Sequence, residues 1–249
     1  MISSTSKIGK NVIIGENVVI EDNVVIGDNV TIGHNAVIKR DTIIGEGCLI
    51  GDNTVLGKRP FKASASETTE EKELEPLKIG KYVTIGVSCV LYRGAILSDF
   101  VFVGDLASIR EDVEIGEYTI IGRGVAVENK TKIGKYVKIE TNAYITAIST
   151  IEDYCFIAPN VTFSNDNFLG RTENRKKYFK GPTVRKGARI GANATILPGK
   201  EIGEDALIAA GAVLTKNAKP KTIYVGVPAK EFKSVPEDQL LENQSYYIG

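Results

Sequence analysis

The chain has 249 residues, with 31 basic and 31 acidic side chains, so its formal net charge is zero. This balance argues against nonspecific binding to nucleic acid or to an anionic membrane surface. Residues 1–10 lack the apolar core of a signal peptide, and no stretch is long and apolar enough to span a bilayer. We therefore expect a cytoplasmic protein.

An apolar residue recurs every six positions over most of the chain. The pattern holds over residues 8–56, continues over 79–163 and resumes over 184–214. A short fixed period of this kind is typical of a solenoid, and a period of six predicts an all-β fold, the parallel β-helix. In each hexad, the large aliphatic residue and the small residue four positions later are expected to point inward.

A second periodicity sets the number of hexads in a coil. Glycine often follows the aliphatic residue on two hexads but rarely on the third, which gives eighteen residues per coil. On hexads of this third class, the residue after the aliphatic is Glu21, Lys39, Tyr92, Arg110, Glu128, Thr146, Ser164, Leu197 or Thr215. We expect a triangular prism of about ten coils, roughly 48 Å long at the strand spacing of a β-sheet. Asn, Gly and Asp are frequent three residues after the aliphatic, where a corner favours positive φ.

Cys48, Cys89 and Cys155 fall at the small inward position of their hexads. We interpret them as buried structural thiols and expect no disulfide.

Two insertions interrupt the repeat, at residues 57–78 and 164–183. Both follow a hexad of the third class with five coils between them, so both are expected to leave one edge of the prism, about 24 Å apart. The early loop is mixed in charge. The late loop is basic and aromatic, through Phe168, Arg171, Arg175, Lys176, Lys177, Tyr178, Phe179 and Lys180. Such residues suit phosphates and a stacked base, although a solvated loop packed on the prism is the alternative.

The hexads, the late loop and the closing segments 208–213 and 226–230, the latter reading Gly-Val-Pro-Ala-Lys, together resemble the left-handed β-helix acyltransferases that use acyl-coenzyme A. The resemblance implies left-handed winding and an acyltransferase domain over residues 1–230. Residues 231–249 form a tail, in which Pro236 is expected to open a short helix.

Residues 151–166 are similar to the segment before the active-site loop of nucleotide-sugar N-acetyltransferases. These resemble enzymes that acetylate the 3-amino group of dTDP- or UDP-linked amino sugars, and the extra N-terminal coils are more like the dTDP-sugar members. The resemblance implies a homotrimer with sites between subunits and acetyl-coenzyme A as cosubstrate along the C-terminal coils. The positions it implies for the coenzyme are Ala210, Lys216, Pro228 and Lys230, and we add Arg175 and Lys180 of the late loop as further coenzyme contacts.

His34 is the only histidine, and it lies in an early coil far from the late loop. A hydroxyl acceptor needs a base near neutrality, and a positioned base contributes about 10²–10⁴-fold. An amine with a pKa of about 7.7–8.0 is roughly one-tenth neutral at pH 7, at a cost near 1.4 kcal/mol. The missing histidine therefore favours an amino-sugar acceptor that attacks the thioester directly.

We expect Asn165 and Asp166 to orient the amine, with Asn129 as a supporting contact. The alternative is that these residues only turn the chain at corners. The coenzyme sulfur, water or Asp166 could take the proton that the amine loses. Candidate contacts for the nucleotide diphosphate, ranked by charge and location, are Arg93, Arg110, Arg59 and Lys62.

Other functions fit less well. A zinc hydratase on this fold would need several histidines, so we expect no metal. A non-catalytic scaffold subunit would have no use for the basic loop or the closing segment. Transfer to another small amine or a UDP-amino sugar, or from a longer acyl donor, stays open.

Overall fold

The computed structural model describes residues 1–64, 69–70 and 72–245, which form a left-handed parallel β-helix with three flat faces. Apart from the last strand, each strand pairs in parallel with the strand one coil away, as in the pairing of Ile8 with Ile26, which confirms the eighteen-residue coil. Within the described residues, two faces carry ten strands and one carries twelve, against about ten expected. Residues 65–68 and 71 of the early loop lie outside the described residues, as do 246–249 of the tail.

The first face holds β1 (Lys7–Ile8), β4 (Val25–Ile26), β7 (Ile43–Ile44), β10 (Lys78–Ile79), β13 (Ile96–Leu97), β16 (Glu114–Ile115), β19 (Lys132–Ile133), β22 (Thr150–Ile151), β25 (Thr183–Val184) and β28 (Glu201–Ile202).

The second face holds β2 (Ile13–Ile14), β5 (Thr31–Ile32), β8 (Leu49–Ile50), β11 (Thr84–Ile85), β14 (Phe102–Val103), β17 (Ile120–Ile121), β20 (Lys138–Ile139), β23 (Phe156–Ile157), β26 (Arg189–Ile190), β29 (Leu207–Ile208), β31 (Thr222–Val225) and β32 (Lys230–Ser234).

The third face holds β3 (Val19–Ile20), β6 (Val37–Ile38), β9 (Val55–Lys58), β12 (Val90–Tyr92), β15 (Ser108–Ile109), β18 (Ala126–Val127), β21 (Tyr144–Ile145), β24 (Thr162–Phe163), β27 (Thr195–Ile196) and β30 (Val213–Leu214). The early loop follows β9 and the late loop follows β24, so both leave this face, five strand spacings apart.

The interior is a continuous column of aliphatic side chains, because the second residue of each short strand points inward. From Ile20 to Leu214 these residues are almost completely buried, with Phe163 the bulkiest. The three cysteines are free and buried, as predicted. Burial raises the pKa of Cys48 to about 11 and also raises the pKa of Cys89 and Cys155, so the thiols stay protonated at neutral pH.

The corners repeat the same residue type from coil to coil. Asn17, Asn35 and Asn53 all have positive φ. The side-chain amide of Asn17 donates to the side-chain oxygen of Asn35 at 3.2 Å, and that of Asn35 to Asn53 at 3.3 Å. Because coils stack at a fixed spacing, a side chain that tolerates the corner also finds its partner in the next coil.

One corner carries aromatic rings instead, which the sequence reasoning did not anticipate. Tyr82, Phe100, Tyr118, Tyr136 and Tyr154 have positive φ, and their rings stack with centroids 4.8–5.3 Å apart. This separation matches the strand spacing and lies within the range favoured by aromatic pairs. Ring stacking thus offsets the cost of about 1–2 kcal/mol that a left-handed conformation imposes on each residue.

The C-terminal end of the prism is closed by a hairpin. Strand β31 extends the second face in parallel, and β32 returns antiparallel to it, so residues 230–234 form a strand rather than loose tail. The predicted short helix after Pro236 is present as two single-turn 3-10 helices, Glu237–Gln239 and Leu241–Asn243. Among the described residues, no helix combines the length and apolarity that crossing a membrane requires.

Replacing Tyr118 by Ala removes two of the stacked ring pairs, while Phe at this position keeps both. We expect Y118A to lower the free energy of unfolding by about 1–3 kcal/mol, since each aromatic pair contributes about 0.5–1.5 kcal/mol. Urea denaturation followed by circular dichroism measures the change, with Y118F as the control. Equal stability of Y118A and wild type would show that the ladder does not stabilise the corner.

Candidate functional site

A line of residues follows the third face at the edge from which both loops leave. It consists of the residues two positions after each inward aliphatic, here called the loop edge: Arg93, Glu111, Asn129, Ala147, Asn165, Pro198 and Lys216. The first four are at most 6% exposed, whereas Asn165 is half-buried and Lys216 exposed. Successive members lie one strand spacing apart, so Asn129 and Asn165 are about 10 Å apart along the edge.

The late loop leaves this edge directly at Asn165. The backbone N–H of Lys180 donates to the carbonyl oxygen of Asn165 at 3.2 Å, which closes the neck of the loop. A 3-10 helix, Glu173–Tyr178, forms its outer part. Arg175 lies in this helix, over the Phe179 ring at 5.3 Å, and exposed Lys180 lies at the neck, so both predicted coenzyme contacts belong to the late loop.

Asp166 anchors the loop from within. Its two carboxylate oxygens accept hydrogen bonds from the backbone N–H groups of Phe168 and Gly170 at 2.8 and 2.9 Å, and Arg175 contacts it at 3.3 Å. Partial burial opposes ionisation, but these donors outweigh it, so the pKa of Asp166 is lowered. A carboxylate with a lowered pKa is a weak proton acceptor, and its observed contacts are those of a loop anchor.

The early loop lies along the same edge and covers it. Buried Arg93 ties the loop down, since its guanidinium donates to the carbonyl oxygens of Leu74 and Arg40 and to Asp41 at 2.8–3.0 Å. Further along, Lys72 pairs with Asp112 at 2.8 Å. Three contacts of the loop reach two successive coils. Lys72 pairs with Asp112 and Thr69 accepts a hydrogen bond from Arg110 in one coil, and Glu70 pairs with Lys130 in the next.

A cavity of about 550 Å³ opens beneath this loop. Arg59, Lys62 and Arg93 all line it, so the structure brings three of the four predicted diphosphate contacts together. Arg59 also pairs with exposed Glu73 at 3.2 Å. Because the guanidinium of Arg93 is engaged by protein acceptors, the more exposed Arg59 and Lys62 are better placed to meet a ligand.

The fourth predicted contact, Arg110, belongs to a charged cluster on the outside of the third face. Its guanidinium makes two hydrogen bonds to Glu111, at 2.8 and 3.1 Å, and lies 3.5 Å from Glu128. The ring of Tyr92 packs against it at 4.9 Å. Glu111 also accepts a hydrogen bond from the side-chain amide of Asn129 at 3.1 Å, which fixes that candidate residue in the edge.

Sequence reasoning missed the two carboxylates of this cluster. Glu111 and Glu128 lie at ordinary polar positions of their hexads, where a glutamate is expected to be exposed to solvent. The sequence did carry a signal, because residues eighteen positions apart lie next to each other in neighbouring coils. Arg110 and Asn129 are therefore within one coil spacing of Glu111, and so is Glu128.

The predicted coenzyme positions near the C-terminus are exposed. Lys216 ends the loop edge two coils beyond Asn165, and Pro228 lies in the turn between β31 and β32, with Lys230 opening β32. This turn packs on the third face, since Val213 accepts a hydrogen bond from Ala229 at 2.8 Å. Ala210 lies apart, at the corner that follows the second face.

His34 follows β5 on the second face, and its ring nitrogen Nδ1 accepts a hydrogen bond from the backbone of Glu16 at 2.9 Å. Six strand spacings separate β5 from β23 beside the late loop, which is about 29 Å. Within residues 1–64, 69–70 and 72–245, no group of three or more His, Cys, Asp or Glu residues is placed to hold a metal ion.

Comparison with known families agrees with the repeat. Residues 5–40 and 23–58 match the family "Bacterial transferase hexapeptide (six repeats)", and residues 186–216 match "Hexapeptide repeat of succinyl-transferase". The chain is built from hexapeptide repeats.

Curated relatives of this hexapeptide-repeat protein include acetyltransferases with different acceptors. Galactoside O-acetyltransferase of Escherichia coli (strain K12) is 35% identical over 102 residues, which is 40% of this chain and 48% of that protein. The 2,3,4,5-tetrahydropyridine-2,6-dicarboxylate N-acetyltransferase of Staphylococcus aureus (strain bovine RF122 / ET3-1) is 46% identical over 50 residues, 20% of this chain and 21% of that protein. The matched region thus spans less than half of each relative.

Among solved structures, UDP-N-acetylglucosamine acyltransferase from Arabidopsis superposes with a TM-score of 0.54 at 13% identity, over 100% of this chain and 79% of that one. At this identity the likeness concerns the fold alone.

The anchoring contacts of Asp166 predict a pH-dependent late loop. The pKa of the Asp166 carboxyl is lower in the folded protein than in the unfolded chain. Its contribution to the stability of the loop is therefore present above its unfolded pKa and is lost as the pH falls through its folded pKa. In limited proteolysis with trypsin at neutral pH, we expect D166A to be cleaved faster within residues 164–180 than wild type. With pepsin in acid, we expect cleavage of wild type within the same residues to become faster as the pH falls.

Glu173→Gln is the matched control, since Glu173 is an exposed carboxylate of the same loop that pairs with Lys176 at 2.7 Å. Equal cleavage rates for D166A and E173Q would contradict an anchoring role for Asp166.

Proposed function

We propose that the protein is an acetyl-coenzyme A-dependent N-acetyltransferase that acts on the amino group of a nucleotide-linked amino sugar. The matched relatives share acetyl transfer and differ in acceptor, oxygen in one case and nitrogen in another. The reaction class is therefore the shared feature, and the acceptor has to be inferred from this chain's own residues.

The position of the lone histidine carries the choice of acceptor. His34 lies about 29 Å from the late loop along the prism and is bonded to the neighbouring coil. A sugar hydroxyl would have no imidazole to remove its proton, whereas an amine with a pKa of about 7.7–8.0 needs only about 1.4 kcal/mol to be neutral at pH 7. Nitrogen is the acceptor that this site can use.

We assign the amine to the loop edge at Asn165, which is half-buried. Asn129, two strand spacings or about 10 Å away, and Ala147 between them are nearly fully buried, so Asn129 acts only as a supporting residue in the edge. Asn165 has an amide that can accept from or donate to the reacting nitrogen. Asp166 supports it by holding the loop, as its three hydrogen bonds indicate.

The nucleotide diphosphate then extends toward the early loop. The cavity of about 550 Å³ carries Arg59 and Lys62, whose cationic groups suit a diphosphate, with Arg93 in its wall. We infer a dTDP-linked sugar with its amine at C3, because that subclass has the long N-terminal coils the resemblance points to.

The coenzyme is assigned to the opposite end of the loop edge. Lys216 and Lys230 are exposed cations for its phosphates, and Arg175 and Lys180 of the late loop are further candidate contacts. Ala210 and Pro228 present little bulk to a pantetheine chain. Acetyl transfer then takes place next to Asn165.

We further propose a homotrimer with sites between subunits. The outward residues Val37, Val55 and Val90 of the third face are half-buried, and a second cavity of about 520 Å³ with a largely apolar lining lies beside them. Light scattering after gel filtration tests the trimer, and a monomeric elution would contradict it.

The activity test uses acetyl-coenzyme A and a panel of dTDP- and UDP-linked sugars bearing an amine at C2, C3 or C4. Release of free coenzyme thiol and mass spectrometry of the product report N-acetylation. We expect turnover of a dTDP-3-amino sugar, together with thermal stabilisation by the coenzyme and by dTDP. Acetylation of hydroxyl acceptors alone would contradict the proposal, and the absence of coenzyme and nucleotide binding would favour a scaffold.

Asn165→Ala tests the placement of the amine. We expect kcat to fall about 10²-fold, since a reacting group misplaced by about 1 Å loses that much. Thermal stability should change little, because the loop neck is closed by the backbone oxygen of Asn165 rather than its side chain. Asn174→Ala in the exposed 3-10 helix of the same loop is the control, and equal turnover of both variants would remove Asn165 from the mechanism.

A further inference from the structure

The early loop presents an aromatic side chain to solvent, because Phe61 is 87% exposed. Phe61 lies three residues after the end of β9, and Pro60 directly precedes it. Proline fixes its own φ and disfavours a helical backbone at the residue before it, so the segment that carries Phe61 is restrained next to the prism. A single exposed apolar side chain needs no function of its own. The surroundings of Phe61 therefore decide its role.

Phe61 lines two cavities. One is the cavity of about 550 Å³ beneath the early loop, and the other is the largely apolar cavity of about 520 Å³ beside the third face. Arg59 and Arg93 line both cavities as well. Open space therefore borders the Phe61 ring, and a flat group can lie against it without displacing protein. A volume of about 550 Å³ lies within the usual range for small-molecule sites, roughly 300–1,000 Å³.

The cavity beneath the loop combines this ring with cations. Arg59 and Lys62 flank the ring in the chain, and both are exposed and line the same cavity. Of the acidic lining residues, Glu70 pairs with Lys130, and Glu73 pairs with Arg59 at 3.2 Å. An exposed ring next to two basic side chains suits a ligand that has a planar aromatic part and an anionic part. A nucleoside diphosphate has both.

The aromatic rings of the late loop, which also suits a stacked base by composition, make contacts with each other and with a cation. Phe168 packs against Tyr178 with ring centroids 5.9 Å apart, and Arg175 lies over the Phe179 ring at 5.3 Å. These contacts hold the rings within the loop itself. Phe61 is thus the ring whose surroundings favour stacking by a ligand.

We propose that Phe61 stacks on the pyrimidine base of the sugar nucleotide, an inference that rests on the nucleotide-sugar substrate proposed above. The base lies against the ring on the side of the cavity beneath the early loop, and Arg59 and Lys62 meet the diphosphate next to it. Stacking detects the presence of a base rather than its identity, since every base has a flat π-face. Phe61 is thereby a binding residue for the nucleotide and takes no part in acetyl transfer.

The position of the cavity fits a long substrate. Its lining extends along the loop edge from Arg93 to Lys72, which pairs with Asp112. The coil of Asp112 lies three strand spacings, about 14 Å, from that of Asn165. A single sugar ring is too short for this span, whereas a nucleotide-linked sugar adds a diphosphate and a nucleoside to it. The sugar then lies at Asn165 while the base lies under the early loop.

A fluorescence titration tests the stacking directly. The chain contains no tryptophan, so Phe61→Trp places a single indole at this position. We expect dTDP to quench its emission in a saturable titration, because the base stacks on the indole. Inorganic pyrophosphate should change the emission little, but it should weaken the effect of dTDP by competing for Arg59 and Lys62.

Phe232→Trp is the matched control, because Phe232 is a 62% exposed ring on β32 at the C-terminal end of the prism. Its indole should show no saturable response to dTDP. Absence of quenching in F61W, or equal quenching in both variants, would overturn the assignment.

Calorimetric titration of the full chain separates the base from the phosphates. We expect Phe61→Ala to weaken dTDP binding about 5–150-fold, the loss that corresponds to unstacking one base from an aromatic side chain, and to leave pyrophosphate binding unchanged. Phe61→Tyr should bind dTDP nearly as wild type does. Lys62→Met should instead weaken the binding of both ligands. Equal affinity of F61A and wild type for dTDP would remove Phe61 from the nucleotide site.

Kinetics and oligomeric state exclude the other roles of an exposed ring. With the amino sugar that wild type turns over fastest, F61A should raise the KM for the sugar nucleotide and keep kcat, as expected for a residue that only binds. A changed mass in light scattering together with unchanged dTDP affinity would show that a second copy of the chain covers Phe61, which would overturn the base site.

The outcomes separate this inference from the proposed function. Turnover of an aminated sugar by wild type, with an equal KM for F61A, would remove the base site and leave the N-acetyltransferase function standing. Saturable quenching of F61W by dTDP without turnover of any aminated sugar would support the base site and contradict the proposed function.

Discussion

The parallel hydrogen-bond ladder between coils is the constraint on which the rest of this molecule depends. It places every residue directly above the one a coil earlier, so side chains interact with the same partner position along the whole prism. Identical residues form ladders, as Asn17 with Asn35 and the stacked aromatic corner show. Different residues form hydrogen-bonded pairs, as Asn129 and Glu111 do. The chemistry of each edge is thus set by which residues recur along it.

A stack of flat faces has no enclosed space for a ligand, because its interior is filled by aliphatic side chains. Concave surface comes from the two insertions. The late loop projects from the prism and is held by hydrogen bonds to Asp166. The early loop lies across several coils and is held by Arg93 and by ion pairs. Between them the third face is left with polar residues at its edge, which is where our proposed reaction takes place.

Charge compensation differs between the carboxylates of this surface. Asp166 accepts hydrogen bonds from several donors, and its pKa is lowered. Glu128 is partly buried and shares the guanidinium of Arg110 with the better-placed Glu111, and its pKa is raised. The residue beside the loop that sequence reasoning favoured as a carboxylate alternative is therefore the poorer base of the two. The distinction depends on neighbours contributed by other coils.

The sequence by itself determined the β-helix, its eighteen-residue coil, the buried cysteines and the common face of the two loops, because each follows from a period that every coil repeats. It also predicted a line of polar residues through Asn129 and Asn165. Only the tertiary structure decided the path of the early loop, the pairing of Arg110 with Glu111 and the returning strand β32. These depend on contacts between residues far apart in the chain, such as Glu70 with Lys130, that no local repeat encodes. A periodic signal fixes register, but non-repeating contacts are selected by packing and charge once the prism has formed.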